Sequence, residues 1–289
     1  MNRIIFLFSL LFIAQSFMAQ DKPAYQLFTK DGKAVKYKKL HAAASNADIV
    51  FFGELHDNPI AHWLQLELAR SLHEEKGESL VLGAEMFEAD NQLLIDEYFA
   101  GTITAKAFEE EARLWKNYKS DYKPLLELAR EKGIGFIATN IPRRYASLVS
   151  RSGFEGLDSL SAEAKKFIAP LPFPFDIDLP GYKGMMEMMA GHGGANPENF
   201  PKAQASKDAT MAHFISRHWE SGQTFIHFNG SYHSDNFEGI IWYLRQYAPN
   251  ASILTITTVE QPELERLDEE NQGKADFILV VDEDMTKTY

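Results

Sequence analysis

Six short apolar runs recur along the chain, at 48–53, 79–85, 133–139, 224–229, 252–257 and 276–281. None alternates strictly between apolar and polar residues, so each fits a strand covered on both faces rather than one. Helical patterns lie between them. Asn58-Pro59 supplies a cap and a first-turn proline, after which Ala61, Leu64, Leu68 and Leu72 repeat at helical spacing. A second helix is expected over 122–131, carrying Leu125, Leu126, Leu128 and Ala129 and stopping before Gly133. A third is expected over 202–219, with Met211, Phe214, Ile215 and Trp219 on one side, and a fourth over 237–247, stopped before Pro249. Strands alternating with helices predict an α/β fold, a mostly parallel central sheet flanked by helices.

The stretch from about 155 to 200 breaks this alternation. Pro170, Pro172, Pro174, Pro180 and Pro197 crowd it, with Gly191, Gly193 and Gly194 near its end. It reads as a helical insertion with loops, a lid over the sheet edge. With no repeat and no linker, residues 20–289 are expected to form one domain.

The N-terminus has its own pattern. Arg3 precedes an apolar run from Ile4 to Ile13, too short to span a bilayer comfortably and laid out as a secretory signal peptide. Cleavage after Ala19 is preferred, with Ser16 as the alternative, since Phe17 fits the small-residue rule poorly. A protein exported to the periplasm or secreted, with no membrane span after cleavage, is implied. The chain contains no cysteine, which removes disulfides, thiolate ligands, a cysteine nucleophile and lipidation of a lipoprotein cysteine. Its formal net charge is −12, and such a surface repels a phosphate backbone, so nucleic acid is not an expected partner.

Polar chemistry gathers where the expected strands end. The first ends in Gly53, Glu54, His56 and Asp57, and the second in Glu85, Met86, Phe87 and Glu88. The third delivers Asn140, Pro142, Arg143, Arg144 and Tyr145, and the fourth Gly230, Ser231, Tyr232, His233 and Ser234. Ligands of open α/β sheets bind beyond the carboxyl ends of the strands. Four polar clusters at equivalent places therefore point to one hollow.

Glu54, His56 and His233, with Glu85, offer an N/O donor set for a divalent transition metal. The same groups suit general acid–base chemistry without metal. Either glycine-to-histidine motif alone is slightly better explained by helix capping and loop hydrogen bonds; the pair together favours function. Arg143 and Arg144 offer forked donors to a carboxylate or phosphate, although at least one is expected to be a solvated surface charge. Tyr145 beside them is a packed aromatic or, as phenolate, a hard ligand for ferric haem. His192 follows Met185, Met186, Met188 and Met189, a run that suits plain core as well as a flat apolar ligand. His227 reads as a satisfied core histidine, and His62 as a helix-surface or packing residue. No nucleophile elbow, phosphate loop or dinucleotide fingerprint is present.

The ordered motifs resemble a known family. Residues 49–58 with His62, then Gly83-Ala84-Glu85-Met86-Phe87, then 115–126 with Tyr118, Tyr122 and Pro124, are similar to the ChaN haem-binding lipoproteins of the Tiki-like group. The likeness continues through residues 140–145, Ala203-Gln204, residues 208–212 and residues 230–233, spanning roughly 40 to 260. The resemblance implies haem binding linked to iron acquisition, through a tyrosine matched to Tyr145 and a histidine of a second subunit matched to His192. Asn140, Arg143 and Arg144 would support the haem, with a homodimer forming on loading. In Tiki-like relatives the two glycine-to-histidine motifs instead imply metal-dependent hydrolysis of a peptide, ester or amide bond. That role would fall to Glu54, His56 and His233, supported by Glu85 and Arg143. Absence of cysteine departs from the lipoprotein pattern.

Overall fold

The computed structural model describes residues 22–189 and 196–289. The expected signal peptide and His192 lie outside the described residues. Eight strands form one sheet: β1 (Tyr25–Thr29), β2 (Ala34–Val35), β3 (Ile49–Glu54), β4 (Leu80–Glu88), β5 (Gly135–Asn140), β6 (Thr224–Gly230), β7 (Ile253–Gln261) and β8 (Phe277–Asp282). Their order is β2-β1-β8-β7-β3-β6-β4-β5. The pairs from β8 to β5 are all parallel, and β1 and β2 add an antiparallel hairpin on the β8 edge. All six apolar runs are strands of this sheet, each within a few residues of the expected bounds. The hairpin was not anticipated, although Asp31-Gly32 carries its turn and Gly32 has φ +74°.

Helices cover both faces: α1 (Tyr37–Ser45), α2 (Pro59–Lys76), α3 (Gln92–Phe99), α4 (Ala105–Glu111), α5 (Lys123–Lys132), α6 (Arg143–Ser152), α7 (Pro180–Met189), α8 (Asn199–His218) and α9 (Ile240–Tyr247). The period-two geometry of a strand divides β3 between two cores. Val50 and Phe52 pack with α2 and α5, while Ile49 and Phe51 pack with α6, α8 and α9. That is why the run shows no polar alternation. Asn58 caps α2 as expected, its Oδ1 accepting from the amides of Ile60 and Ala61 at 3.1 and 3.0 Å. Of the insertion, α7 is its main regular element, flanked by short 3₁₀ turns at Phe154–Ser159 and Ala164–Phe167.

Two features bear on the site. Opposite β5, β4 spends four residue steps from Ala84 to Glu88 where β5 spends two, from Ala138 to Asn140. Such a bulge re-aims side chains at the end of a strand, here the segment carrying Glu85. At the exposed side of β5, the Gln92 amide takes the place of a further strand. It donates to the Phe136 carbonyl at 3.0 Å and accepts from the Ala138 amide at 2.7 Å.

Gln92→Leu removes both of these bonds and leaves an open strand edge. The variant is expected to lose about 1–2 kcal/mol in urea unfolding and to aggregate more readily than wild type. Unchanged stability and solubility would show that the amide cap is dispensable.

Candidate functional site

Strands β3, β4, β5 and β6 end on the same side of the sheet, and a cavity of about 690 Å³ opens there. Ligand pockets typically enclose roughly 300–1,000 Å³. Glu54, Glu85 and His233 are buried at its floor, Ile141, Ala146, Met185 and Trp115 contribute apolar wall, and Arg143, Tyr232 and Tyr289 are exposed at the rim. The acid and imidazole groups of the β3, β4 and β6 ends thus converge in one hollow with the Asn140 amide and the Arg143 guanidinium after β5.

The glycines make this convergence possible. A Cβ on Gly53 would sit 2.9 Å from the Ser231 Cα, and one on Gly230 would sit 2.7 Å from His56 Nε2. Both are closer than side-chain carbons normally approach, so the β3 and β6 ends meet only without side chains there.

Glu54 is 1% exposed. It accepts from Gln65 Nε2 at 2.7 Å, from the Tyr122 hydroxyl at 2.7 Å and from His56 Nδ1 at 2.9 Å, and His62 Nε2 stands 3.4 Å away. Burial alone would raise its pKa; the His56 and His62 contacts outweigh this and hold it at about 2. On its other side His62 approaches Asp121 at 3.3 Å. Burial opposes the charge on His62, yet the Asp121 and Glu54 carboxylates raise its pKa to about 9. The chain of contacts then closes on itself, because Asn117 Nδ2 donates to Asp121 at 2.6 Å and to the His56 carbonyl at 2.9 Å. Both the ring and the backbone of His56 are therefore fixed by one network, and its ring packs edge-on to Trp115 at 4.8 Å.

A second network underlies His233. Its Nδ1 bonds Asp208 at 2.5 Å, its Nε2 stands 3.2 Å from Glu85, and Gln204 lies 3.1 Å away. Tyr182 of α7 donates to the same Asp208 at 2.7 Å. Burial opposes protonation of His233, but Glu85 and Asp208 lift its pKa to about 9. Glu85 also accepts from the Gly230 amide at 2.8 Å. Against the pull of burial, the nearby imidazolium charge drives its pKa well below the usual carboxylate range.

Several expectations change. No group of three or more His, Asp and Glu side chains among the described residues is disposed to hold a metal ion. The expected donors Glu54, His56 and His233 are instead engaged with other side chains, His233 through both ring nitrogens. His62 is a buried ionic group rather than a surface or packing histidine. His227 is the satisfied core histidine expected, bonded to Thr139 at 2.7 Å and Asn229 at 3.0 Å, with burial lowering its pKa to about 4.

The polar residues after β5 divide. Asn140 lines the cavity, donating to the Glu85 carbonyl at 3.0 Å while its Oδ1 is buried with no partner among the described residues. Arg143 faces the cavity; Arg144 turns away to Asp90 at 2.6 Å and lies over the Tyr145 ring. Tyr145 is half-buried against the α6–α8 core and is not among the cavity-lining residues, whereas Tyr232 is. Gln65 was not anticipated, and Asp121, Gln204 and Asp208 lay in the family-like segments without an expected role. Their signal was faint but present: Gln65 and Asp208 are polar residues on otherwise buried helix faces.

The family model for haem-binding uptake proteins of the Tiki superfamily, ChaN, matches residues 40–244. A structure of ChaN from Campylobacter jejuni with cofacial haem binding is similar at 16% identity and a TM-score of 0.67, covering 89% of this chain and 96% of that one. A succinoglycan biosynthesis protein is similar at 11% identity and a TM-score of 0.50, covering 85% and 90%. At these identities the structural likeness concerns the fold alone. No curated protein matches the chain.

The Glu54–His62–Asp121 contacts predict a pH dependence. His62 gains stability that is full below its ordinary pKa of 6.5 and lost as pH rises through about 9. Glu54 gains stability that is full above 4.5 and lost as pH falls through about 2. Urea midpoints should therefore fall between pH 6.5 and 9, and His62→Gln should make that alkaline decline shallower. A His62→Gln profile parallel to wild type would refute the buried ion pair.

Proposed function

The chain belongs to the haem-binding uptake family ChaN of the Tiki superfamily, and on that premise we propose that it is an exported protein that binds haem in this cleft through a phenol. The observation that carries the reading is a cavity of about 690 Å³ that combines the apolar side chains of Trp115, Met185 and Ile141 with two phenols and two cations. A porphyrin needs a flat apolar contact, an axial donor and partners for its carboxylates, and all three kinds of group are present. Export is supported by the apolar segment behind Arg3 and fits a role in acquiring iron. Pairing of two copies on loading belongs to the same proposal.

Haem, when bound, supplies a ferric ion that accepts a hard oxygen donor. Three phenols are candidates for that role: Tyr232 and Tyr289, which line the cavity, and Tyr145, which does not. Tyr232 lines the cavity, and its hydroxyl donates to the Gly181 carbonyl at 2.6 Å. Burial first, and the Glu238 carboxylate second, raise its pKa, so the ligand-free phenol is protonated at neutral pH. Tyr145, the residue matched to the family's ligand, stands outside the cavity lining with Arg144 above its ring at 4.4 Å. Tyr232 is favoured for a haem inside this cleft, and Tyr145 for one held against the outer face of α6.

A second reading, acid–base hydrolysis of an ester or amide without metal, is favoured by one feature. His56 is held through Nδ1 by the buried Glu54, the arrangement of a general base with its orienting carboxylate. Burial lowers the pKa of His56, and Glu54 and Glu85 more than reverse that, so such an activity would rise with pH as the ring loses its proton.

Titration with haemin should give a saturable spectral change of a tyrosinate-ligated ferric species. Tyr232→Phe should abolish that signature and Tyr145→Phe should preserve it; the opposite pattern returns the ligand to Tyr145, and no saturable binding removes the haem reading. Turnover of an ester or amide panel in excess chelator, lost in His56→Ala, would establish the second reading. No turnover by wild type would dismiss it.

A further inference from the structure

One side chain of the cavity comes from neither the four strand ends nor the helices. Strands β8, β7 and β3 are parallel, so all three end at the same edge of the sheet. Beyond β8 the chain crosses the end of β7 and reaches the turn after β3. Met285 anchors this crossing by packing on the same core as α2 and α5. Lys287 Nζ then meets the Glu260 carboxylate of β7 and stands 3.9 Å from Asp57. Thr288 holds the Asp57 carbonyl through its amide at 2.9 Å and its hydroxyl at 3.2 Å. Tyr289 lines the cavity, with the Lys116 ammonium 3.6 Å from the centre of its ring. The crossing lies beyond the residues 40–244 that define the family.

Both attachments of this segment flank His56. Asp57 is the next residue along, and Lys116 follows Trp115, whose ring packs edge-on to His56. The phenol is close to the floor as well: burial first, then the Asp57, Glu54 and Asp121 carboxylates, raise its pKa. His56 is the floor imidazole that solvent reaches, its side chain 34% exposed against 4% for His62 and 5% for His233. Its Nδ1 is held by Glu54, which leaves Nε2 beside Gly230 at the cavity. The attachments are loose ones. Lys287, Asp57 and Glu260 are part-exposed, and such ion pairs hold weakly. The Tyr289 ring is itself 52% exposed. A segment anchored in the core at Met285 and lightly fastened beyond it can lift while the rest of the fold stays closed.

We propose that residues 286–289 form a strap that gates the His56 side of the cleft, with Tyr289 as the side chain that sets how large a solute reaches His56 Nε2. Water and small solutes pass with the strap down. Bulky, flat solutes enter only when the Thr288–Asp57 contact opens and the Tyr289 ring leaves Lys116. The inference stands apart from the haem reading, since it concerns access to the cleft and holds for whichever ligand the cleft takes.

The test alkylates the full chain with bromoacetamide and, separately, with its bulky N-naphthyl derivative, and reads each histidine by peptide mass spectrometry. The ratio of the two rates at one histidine cancels the basicity of its ring. His218 is the reference, an exposed imidazole whose Nδ1 is likewise held, by the Phe214 carbonyl at 2.8 Å. In wild type the naphthyl reagent should lose at least about fivefold at His56 relative to His218, roughly the factor that one net hydrogen bond supplies. Tyr289→Ala removes the ring and Thr288→Pro removes the fastening; each should bring the ratio within about twofold of the reference. Tyr289→Phe keeps the ring and should keep the wild-type ratio, which separates a gate from a role of the hydroxyl. Circular dichroism melts will show that the variants fold. A wild-type ratio equal to the reference overturns the proposal, and so does a ratio that Tyr289→Ala and Thr288→Pro leave unchanged. So does a His56 that reacts with neither reagent in any of the proteins. A shifted ratio supports the gate whether or not haemin binds, and an unshifted one leaves the haem reading untouched.

Discussion

Glu54 and Glu85 lie at strand ends on either side of β6, nearly inaccessible to water, and neighbouring imidazoles favour the charged form of both. A buried carboxylate is tolerated only when hydrogen bonds and opposite charge replace its hydration. This requirement organises much of the molecule. To satisfy Glu54, α2 must present His62 and Gln65 on one face, three residues apart, and the turn before α5 must deliver Tyr122. To satisfy Glu85, β6 must end in a glycine amide and α8 must bring Asp208 beneath His233. Elements from both layers are thus tied to the sheet at one point, and that point is the floor of the cleft.

The same constraint explains how much could be read from the sequence. β3 through β8 were visible because strands covered on both faces need uninterrupted apolar runs. Glu54, His56, Glu85 and His233 were visible because acids and imidazoles directly after such runs have few structural reasons to be there. The partners that hold them were hidden on helices, where a polar residue ordinarily faces solvent. On the helix pattern itself, His62 and Gln65 betray themselves by standing among Ala61, Leu64 and Leu68, which are buried. Asp208 does the same between Ala205 and Ala209. The choice between Arg143 and Arg144 was beyond any pattern, since consecutive helix positions point about 100° apart and only packing decides which faces the hollow. Residue type named Glu54, His56 and His233 as plausible metal donors, and hydrogen-bond geometry ties Glu54 and both ring nitrogens of His233 to other side chains, but His56 through Nδ1 alone.

Haem capture and proton transfer make different demands on a cleft, and here those demands separate in space. The rim and walls carry phenols, cations and apolar surface. The floor carries the coupled acids and imidazoles. Trp115 touches both, through the cavity wall and through its edge-on contact with the His56 ring.

The extra residues that β4 spends opposite β5 have an implication for how such a chain can vary. Side chains on a strand alternate between faces, so removing Met86 or Phe87 would leave Glu85 in step with Ala84 but reverse the face that Glu88 presents and shorten the bulge at the cleft. Exchanging residue types in this segment alters the chemistry of the cleft by degrees. Altering the segment's length re-aims the end of the strand as a whole.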